Sequence, residues 1–170
     1  KYTVLETLCA QRAEKALDQA EEALGRFSDS LDRLNTLLYY ALPIRRGEEQ
    51  FMTMLLPMTF TESGRTLCAQ YAQALSDAFS PRLRAILEQA RAQGRVHLYY
   101  PSQTEPILMA LLNQCWLMMA RHLMDMRQKG GAVDPAALLE MLQAYRFSLE
   151  RILDAPHGSL DLVRVPELAQ

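Results

Sequence analysis

The stretch that most constrains the fold is residues 102–129, which read SQTEPILMALLNQCWLMMARHLMDMRQK. Ser102 can accept a hydrogen bond from the first helical turn, and Glu105 three residues later completes a capping-box pattern. Gly130 and Gly131 follow the stretch, and glycine is common where helices end. The sequence therefore predicts one long helix over residues 102–129.

On a wheel of about 100° per residue, the polar side chains of this helix form one narrow stripe. The stripe contains Gln103, Gln114, Arg121, Asp125 and Gln128. Apolar residues fill roughly 240°, which exceeds what a helix packed on one core needs. One apolar face contains Leu108, Leu112, Cys115, Met119, His122 and Met126, and a second contains Met109, Trp116, Ala120 and Leu123. Either a partner subunit covers the second face, or the chain wraps the helix entirely by itself.

The rest of the chain also has helical periodicity. Further helices are predicted over residues 3–25, 30–42, 50–56, 62–94 and 135–153, with Asp29 or Ser28, Thr61 and Asp134 as N-caps. Pro81 either kinks or restarts the fourth of these helices. Residues 95–101 are predicted to be an extended connection, because one short strand-like stretch cannot form a sheet. The sequence therefore predicts an all-α bundle of about six helices over residues 1–153, followed by a tail over 154–170.

Composition limits the classes of function. The 170 residues are 49% hydrophobic, which supports a substantial core and disfavours disorder. The net charge is −2 and no basic cluster is present, so this chain by itself should bind DNA poorly. No uninterrupted apolar run reaches the ~18 residues of a membrane span, and no signal peptide is visible. Three cysteines outside any CxxC pattern favour buried thiols in a reducing cytoplasm.

Catalytic and metal motifs are missing from the sequence. There is no Gly-rich phosphate loop, no GxSxG and no HExxH. His122 and Cys115 share a helix face but lie roughly 10 Å apart, too far to bind one zinc ion directly. Redox sensing needs an exposed thiol of low pKa, and the apolar context of the cysteines disfavours it. We therefore expect no enzyme activity, no cofactor and no metal.

A dense cluster of methionine and phenylalanine occupies residues 51–60. It is either ordinary core, where methionine fills irregular gaps, or the plastic wall of a hydrophobic ligand cavity. In the second interpretation, Tyr40, Tyr71 and His122 orient a mostly apolar ligand. Cys68 and Cys115 are small enough to leave room for it.

The order of the elements resembles a known family. A long first helix is followed by a short Met-rich helix, a Pro-containing helix that ends in QxxxQG (89–94), a connection with aromatic residues and two long helices. This order, together with the opening Lys1-Tyr2-Thr3-Val4-Leu5, resembles the C-terminal regulatory domain of TetR-family transcriptional regulators. The resemblance covers essentially the whole chain.

The resemblance implies an effector-binding and dimerisation half, with the family's N-terminal helix-turn-helix absent from this chain. The expected partners are a second copy, a small hydrophobic effector and, only through that missing domain, operator DNA. The predicted ligand-binding residues are Tyr40, Phe51, Met54, Met58, Phe60, Cys68, Tyr71, Cys115, Met119 and His122. The last two helices are expected to form a four-helix dimer interface through Met109, Trp116, Ala120, Leu123, Leu138, Leu142, Tyr145 and Leu149. The alternative is a helical protein–protein interaction module without a small-molecule ligand.

Overall fold

A computed structural model describes residues 2–45, 47–55, 57–58, 61–132 and 134–162. Six helices follow one another in it: α1 Tyr2–Leu24, α2 Ser30–Ala41, α3 Glu49–Leu55, α4 Glu62–Ala92, α5 Pro101–Gln128 and α6 Pro135–Leu153. These described ranges contain no strand, and the predicted all-α bundle is confirmed.

Local capping chemistry sets the starts of three helices. The Asp29 carboxylate accepts a hydrogen bond from the Leu31 N–H at 3.1 Å. The Thr61 hydroxyl accepts one from the Gly64 N–H at 3.0 Å, and Asp134 accepts one from Ala136 at 2.9 Å. Each bond satisfies an N–H group that the helix itself leaves without a partner. The predicted caps at Asp29, Thr61 and Asp134 are confirmed.

The predicted capping box of α5 is wrong. The helix begins at Pro101, and no side chain caps it. Proline suits a first turn, because its missing N–H needs no partner there. The carboxylate of Glu105 is buried and accepts a hydrogen bond from Arg84 at 3.0 Å.

The longest helix, α4, provides the surface on which the bundle is assembled. It is helical without interruption from Glu62 to Ala92, and Pro81 lies inside it. Helices α1 and α2 pack against α4 and against each other, and α5 lies between α4 and α6.

The structure corrects the predicted centre of the dimer interface. Trp116 is 0% exposed within the single chain. Its indole N–H donates to Asn113 Oδ1 at 3.0 Å, and the Asn113 amide donates in turn to the Ala72 carbonyl and the Ser76 hydroxyl of α4. The other predicted interface residues that the chain itself buries are Met109, Ala120, Leu142 and Leu149. Because a fully buried side chain has no surface left for a partner, the chain itself covers Met109, Trp116 and Ala120, while Leu123 on the same face stays half-buried.

By length and composition alone, α5 is long and apolar enough to cross a membrane. No membrane-spanning segment was expected from the sequence. A helix in the core of a bundle meets the same criterion, and α5 packs between α4 and α6.

The segment after α6 belongs to the core as far as Leu162. Leu160 and Leu162 are both buried. The Asn35 side chain donates to the Ser159 carbonyl at 3.0 Å and accepts from the Asp161 N–H at 2.9 Å. The segment that the sequence analysis separated as a tail is therefore attached to α2 over its described part.

Candidate functional site

Three aromatic side chains from different helices form a continuous row. The ring centres of Phe51 on α3 and Tyr71 on α4 are 4.9 Å apart, and those of Tyr71 and Trp116 on α5 are 5.9 Å apart. Both contacts have the edge-on geometry that aromatic pairs favour. This aromatic row, Phe51–Tyr71–Trp116, is buried along its whole length.

A charged cluster lies at the Phe51 end of the aromatic row. The Arg12 guanidinium stands 4.2 Å from the centre of the Phe51 ring, within the range of a cation–π contact. Arg12 also donates to Glu48 Oε2 at 2.7 Å. The other oxygen of Glu48 accepts from Arg45 at 3.1 Å. One carboxylate therefore joins two guanidinium groups.

Within this cluster, Arg45 has a structural role. It is buried, and it donates to Gln19 at 2.9 Å and to the Tyr40 carbonyl at 3.1 Å as well as to Glu48. These bonds tie α1 to the C-terminal end of α2 and to the connection that follows. The Arg12 side chain, by contrast, is 33% exposed, so solvent reaches part of it.

The Tyr71 hydroxyl is neutral and faces this cluster. Burial raises the pKa of Tyr71 to about 12, and the Glu48 carboxylate adds to the rise, while Arg45 and Arg12 act against it. Tyr71 itself is 1% exposed. At neutral pH the group is a hydrogen-bond donor.

A buried polar atom on α5 lacks a partner among the described residues. His122 Nε2, on α5, is buried and makes no hydrogen bond. His122 shares a helix face with Cys115 and Met119, which are both buried. A buried polar atom without a partner costs about 1–3 kcal/mol, and such atoms are uncommon in native proteins.

The structure brings part of the predicted ligand-binding set together in the core. Phe51, Cys68, Tyr71, Cys115 and Met119 are buried, and Tyr40, Met58 and His122 are half-buried. Met54 is 48% exposed, so its predicted place in the ligand wall stays a prediction. Phe60 lies outside the described residues. Of the predicted dimer residues, Leu123, Leu138 and Tyr145 keep part of their surface.

Two cavities formed by described residues lie elsewhere. An open groove of about 450 Å³ runs between α1 and α4, over a floor of Ala10, Ala74 and Ala78. A smaller one, of about 160 Å³, lies between α6 and the C-terminal segment, beside Arg146 and Leu162. No predicted ligand-binding residue lines either cavity. The binding site that we consider beside the aromatic row is therefore separate from both of these cavities.

The three cysteines are buried free thiols. Burial raises the pKa of Cys115 to about 12. Burial likewise raises the pKa of Cys9, with an added contribution from Glu6. It also raises the pKa of Cys68. A raised pKa keeps a thiol protonated, and only the thiolate is a good nucleophile.

We therefore expect native Cys115 to resist alkylation. A pKa about three units above that of a free thiol reduces the thiolate fraction roughly a thousandfold at about pH 8. The measurement is mass spectrometry after timed iodoacetamide treatment, with the denatured chain as control. Rapid modification of Cys115 in the folded protein would contradict the expectation and would favour redox sensing.

Sequence reasoning missed the charged cluster. Arg45 and Glu48 lie in a short polar connection and look like solvent-exposed charges. Their partner Arg12 lies 36 residues before Glu48 in the chain, so no local spacing connects them. No known protein family, curated protein or solved structure matches the chain.

Proposed function

We propose that the chain is the effector-binding and dimerisation domain of a cytoplasmic, TetR-like transcriptional regulator, without catalytic activity of its own. The order of the helices supports the proposal: a long α1, a short α3, an uninterrupted α4 and the α5–α6 pair follow one another as the resemblance implies.

The observation that carries effector binding is the unpartnered Nε2 of His122 on the same face as Cys115 and Met119. A mostly apolar ligand with a few polar groups can satisfy such an atom while covering the apolar side chains beside it. The Tyr71 hydroxyl offers a second polar contact from α4. The core thus presents the few polar groups that orient a hydrophobic effector.

The short helix α3 suits a role as the moving part. It has seven residues and packs less extensively against the other helices than they pack against one another. A ligand that binds only when α3 has moved shifts the population towards that arrangement. Because α1 packs against α4, a displacement of α4 would reach α1 and change the spacing of the attached DNA-binding domains.

The dimer surface that we propose differs from the predicted one. Helices α5 and α6 expose large apolar side chains, namely Ile107, Met118, Leu139 and Phe147. Exposed apolar residues that cluster on neighbouring helices are typical of protein–protein contacts. A two-fold interface through these residues would bury them against their own copies.

Replacing Phe147 by aspartate is expected to convert the dimer into a monomer. The change places a charge on a side chain that is 49% exposed and, in the proposed dimer, desolvated. The measurement is light scattering at micromolar concentration. The control is Tyr100→Asp, which alters an exposed aromatic residue just before α5. A wild-type monomer, or a Phe147→Asp dimer, would contradict this interface.

A second candidate function is a helical protein–protein interaction module. The same exposed residues of α5 and α6 favour it, since they could receive a different protein. The two functions differ in the core: only the regulatory domain needs a ligand beside Tyr71 and His122.

A further inference from the structure

We infer that the effector is an amphiphile with an anionic carboxylate headgroup, held by the Arg12 guanidinium, and with an apolar body that lies along the aromatic row. The inference rests on the proposed function and assigns a ligand class to the same site.

The net charge of Arg12, Arg45 and Glu48 favours an anionic headgroup. Arg12 and Arg45 each carry a guanidinium group, and among the side chains that the structure describes Glu48 is the one carboxylate that bonds to both. These three are also the charged side chains that affect the Tyr71 hydroxyl. Among these three described side chains, one positive charge therefore remains in excess at the outer end of the aromatic row. It attracts an anion, repels a cation and offers little to a neutral headgroup.

Arg12 has more N–H donors available for a ligand headgroup than Arg45 has. Arg45 already donates to Gln19, Glu48 and the Tyr40 carbonyl, and it is buried. The structure records one hydrogen bond from Arg12, at 2.7 Å to Glu48. A guanidinium carries five N–H donors in a planar fork that matches a carboxylate. Since the Arg12 side chain is 33% exposed, a headgroup can reach it from solvent.

The contacts from Arg12 inward provide a path for the apolar body. Arg12 lies over Phe51, Phe51 contacts Tyr71, and Tyr71 contacts Trp116. Phe51 is carried by the short helix α3, so movement of α3 would open the space between Arg12 and Tyr71. A chain that enters there passes the neutral Tyr71 hydroxyl and continues towards Trp116. The headgroup thus stays at the half-exposed end, where the excess positive charge lies.

The test uses three probes with the same ten-carbon chain: decanoate, decanol and decyltrimethylammonium. Titration calorimetry at neutral pH gives their affinities for the full chain. We expect the wild type to bind decanoate most tightly and the cation most weakly. In Arg12→Gln, we expect the Kd of decanoate to rise about tenfold or more and that of decanol to change less than twofold, because only the carboxylate uses the charged donor.

The matched control is Arg82→Gln. Arg82 also pairs with one glutamate, Glu21, at 2.6 Å, and its side chain is 31% exposed, close to the value for Arg12. This variant should leave both affinities within twofold of the wild type. The ranking of the three probes on the wild type needs no variant, so the inference stays testable even if Arg12→Gln does not fold.

The outcomes separate this inference from the proposed function. Wild-type protein that binds decanol or the cation at least as tightly as decanoate overturns the headgroup assignment but supports an apolar effector site. A folded Arg12→Gln that binds decanoate as the wild type does also overturns it. If none of the three probes binds the wild type, both the inference and effector binding by an apolar core are wrong.

Discussion

The substitution Gly64→Ala is expected to destabilise the domain by about 3 kcal/mol or more, the upper part of the range for overpacked sites. Gly64 lies in the first turn of α4, and a Cβ added there would overlap the carbonyl group of Met58 and lie 2.6 Å from its Cβ. The Met58 carbonyl cannot move freely, because the Thr61 N–H and hydroxyl both donate to it at 3.0 Å. Alanine normally stabilises a helix relative to glycine by up to about 1 kcal/mol, so the expected sign is reversed.

The measurement is urea unfolding of the wild type, Gly64→Ala and the control Gly25→Ala. A Cβ at Gly25 would meet its nearest neighbour, the Glu22 carbonyl oxygen, at 3.6 Å, which is an ordinary contact. Gly25→Ala should therefore change the free energy of unfolding by less than about 1 kcal/mol. A Gly64→Ala protein as stable as the wild type would show that the 57–58 segment does not pack closely on α4.

The substitution Arg45→Met is expected to cost about 3–5 kcal/mol, the usual loss when one partner of a buried ion pair is removed. The change removes the hydrogen bonds that Arg45 donates to the Gln19 side chain and to the Tyr40 carbonyl. It also leaves Glu48, whose side chain is 14% exposed, with Arg12 as its remaining ion-pair partner among the described residues. Methionine fills a similar length but offers no hydrogen bond.

Thermal and urea unfolding of Arg45→Met, beside Arg91→Met, measures this loss. Arg91 pairs with Glu88 three residues away on α4, and both side chains are well exposed. Exposed pairs contribute about 0–1 kcal/mol, so the control should lose no more than that. If the two variants lose equal amounts, the charged cluster does not hold α1 and α2 together.

Features that depend on neighbouring residues were predictable from the sequence. A capping side chain bonds to N–H groups two or three residues away, so Asp29, Thr61 and Asp134 could be identified without knowledge of the fold. The predicted start of α5 was wrong because two local sequence signals competed. Ser102 offered a cap, but Pro101 fits the first turn one residue earlier.

Features that depend on distant residues were not predictable. The wheel of α5 showed two apolar faces but could not show that Asn113 and α4 would enclose Trp116 within one chain. Leu160 and Leu162 follow a proline and a glycine, a pattern that suggests an exposed tail. The segment that carries them is instead held by hydrogen bonds to Asn35, more than 120 residues away. The hydrogen bond between Arg12 and Glu48 likewise joins residues that are distant in the sequence. Tertiary contacts of this kind leave no periodic pattern in the sequence.

The central claim is that a small hydrophobic effector enters the core beside the aromatic row, and Trp116 reports on it directly. Trp116 is the only tryptophan in the chain and is 0% exposed. Titration with decanol brominated at its terminal carbon should quench Trp116 emission saturably, because bromine quenches only at close range, while 2-bromoethanol at the same concentration should not. If the brominated decanol leaves Trp116 emission unchanged, no ligand reaches the core and the claim is wrong.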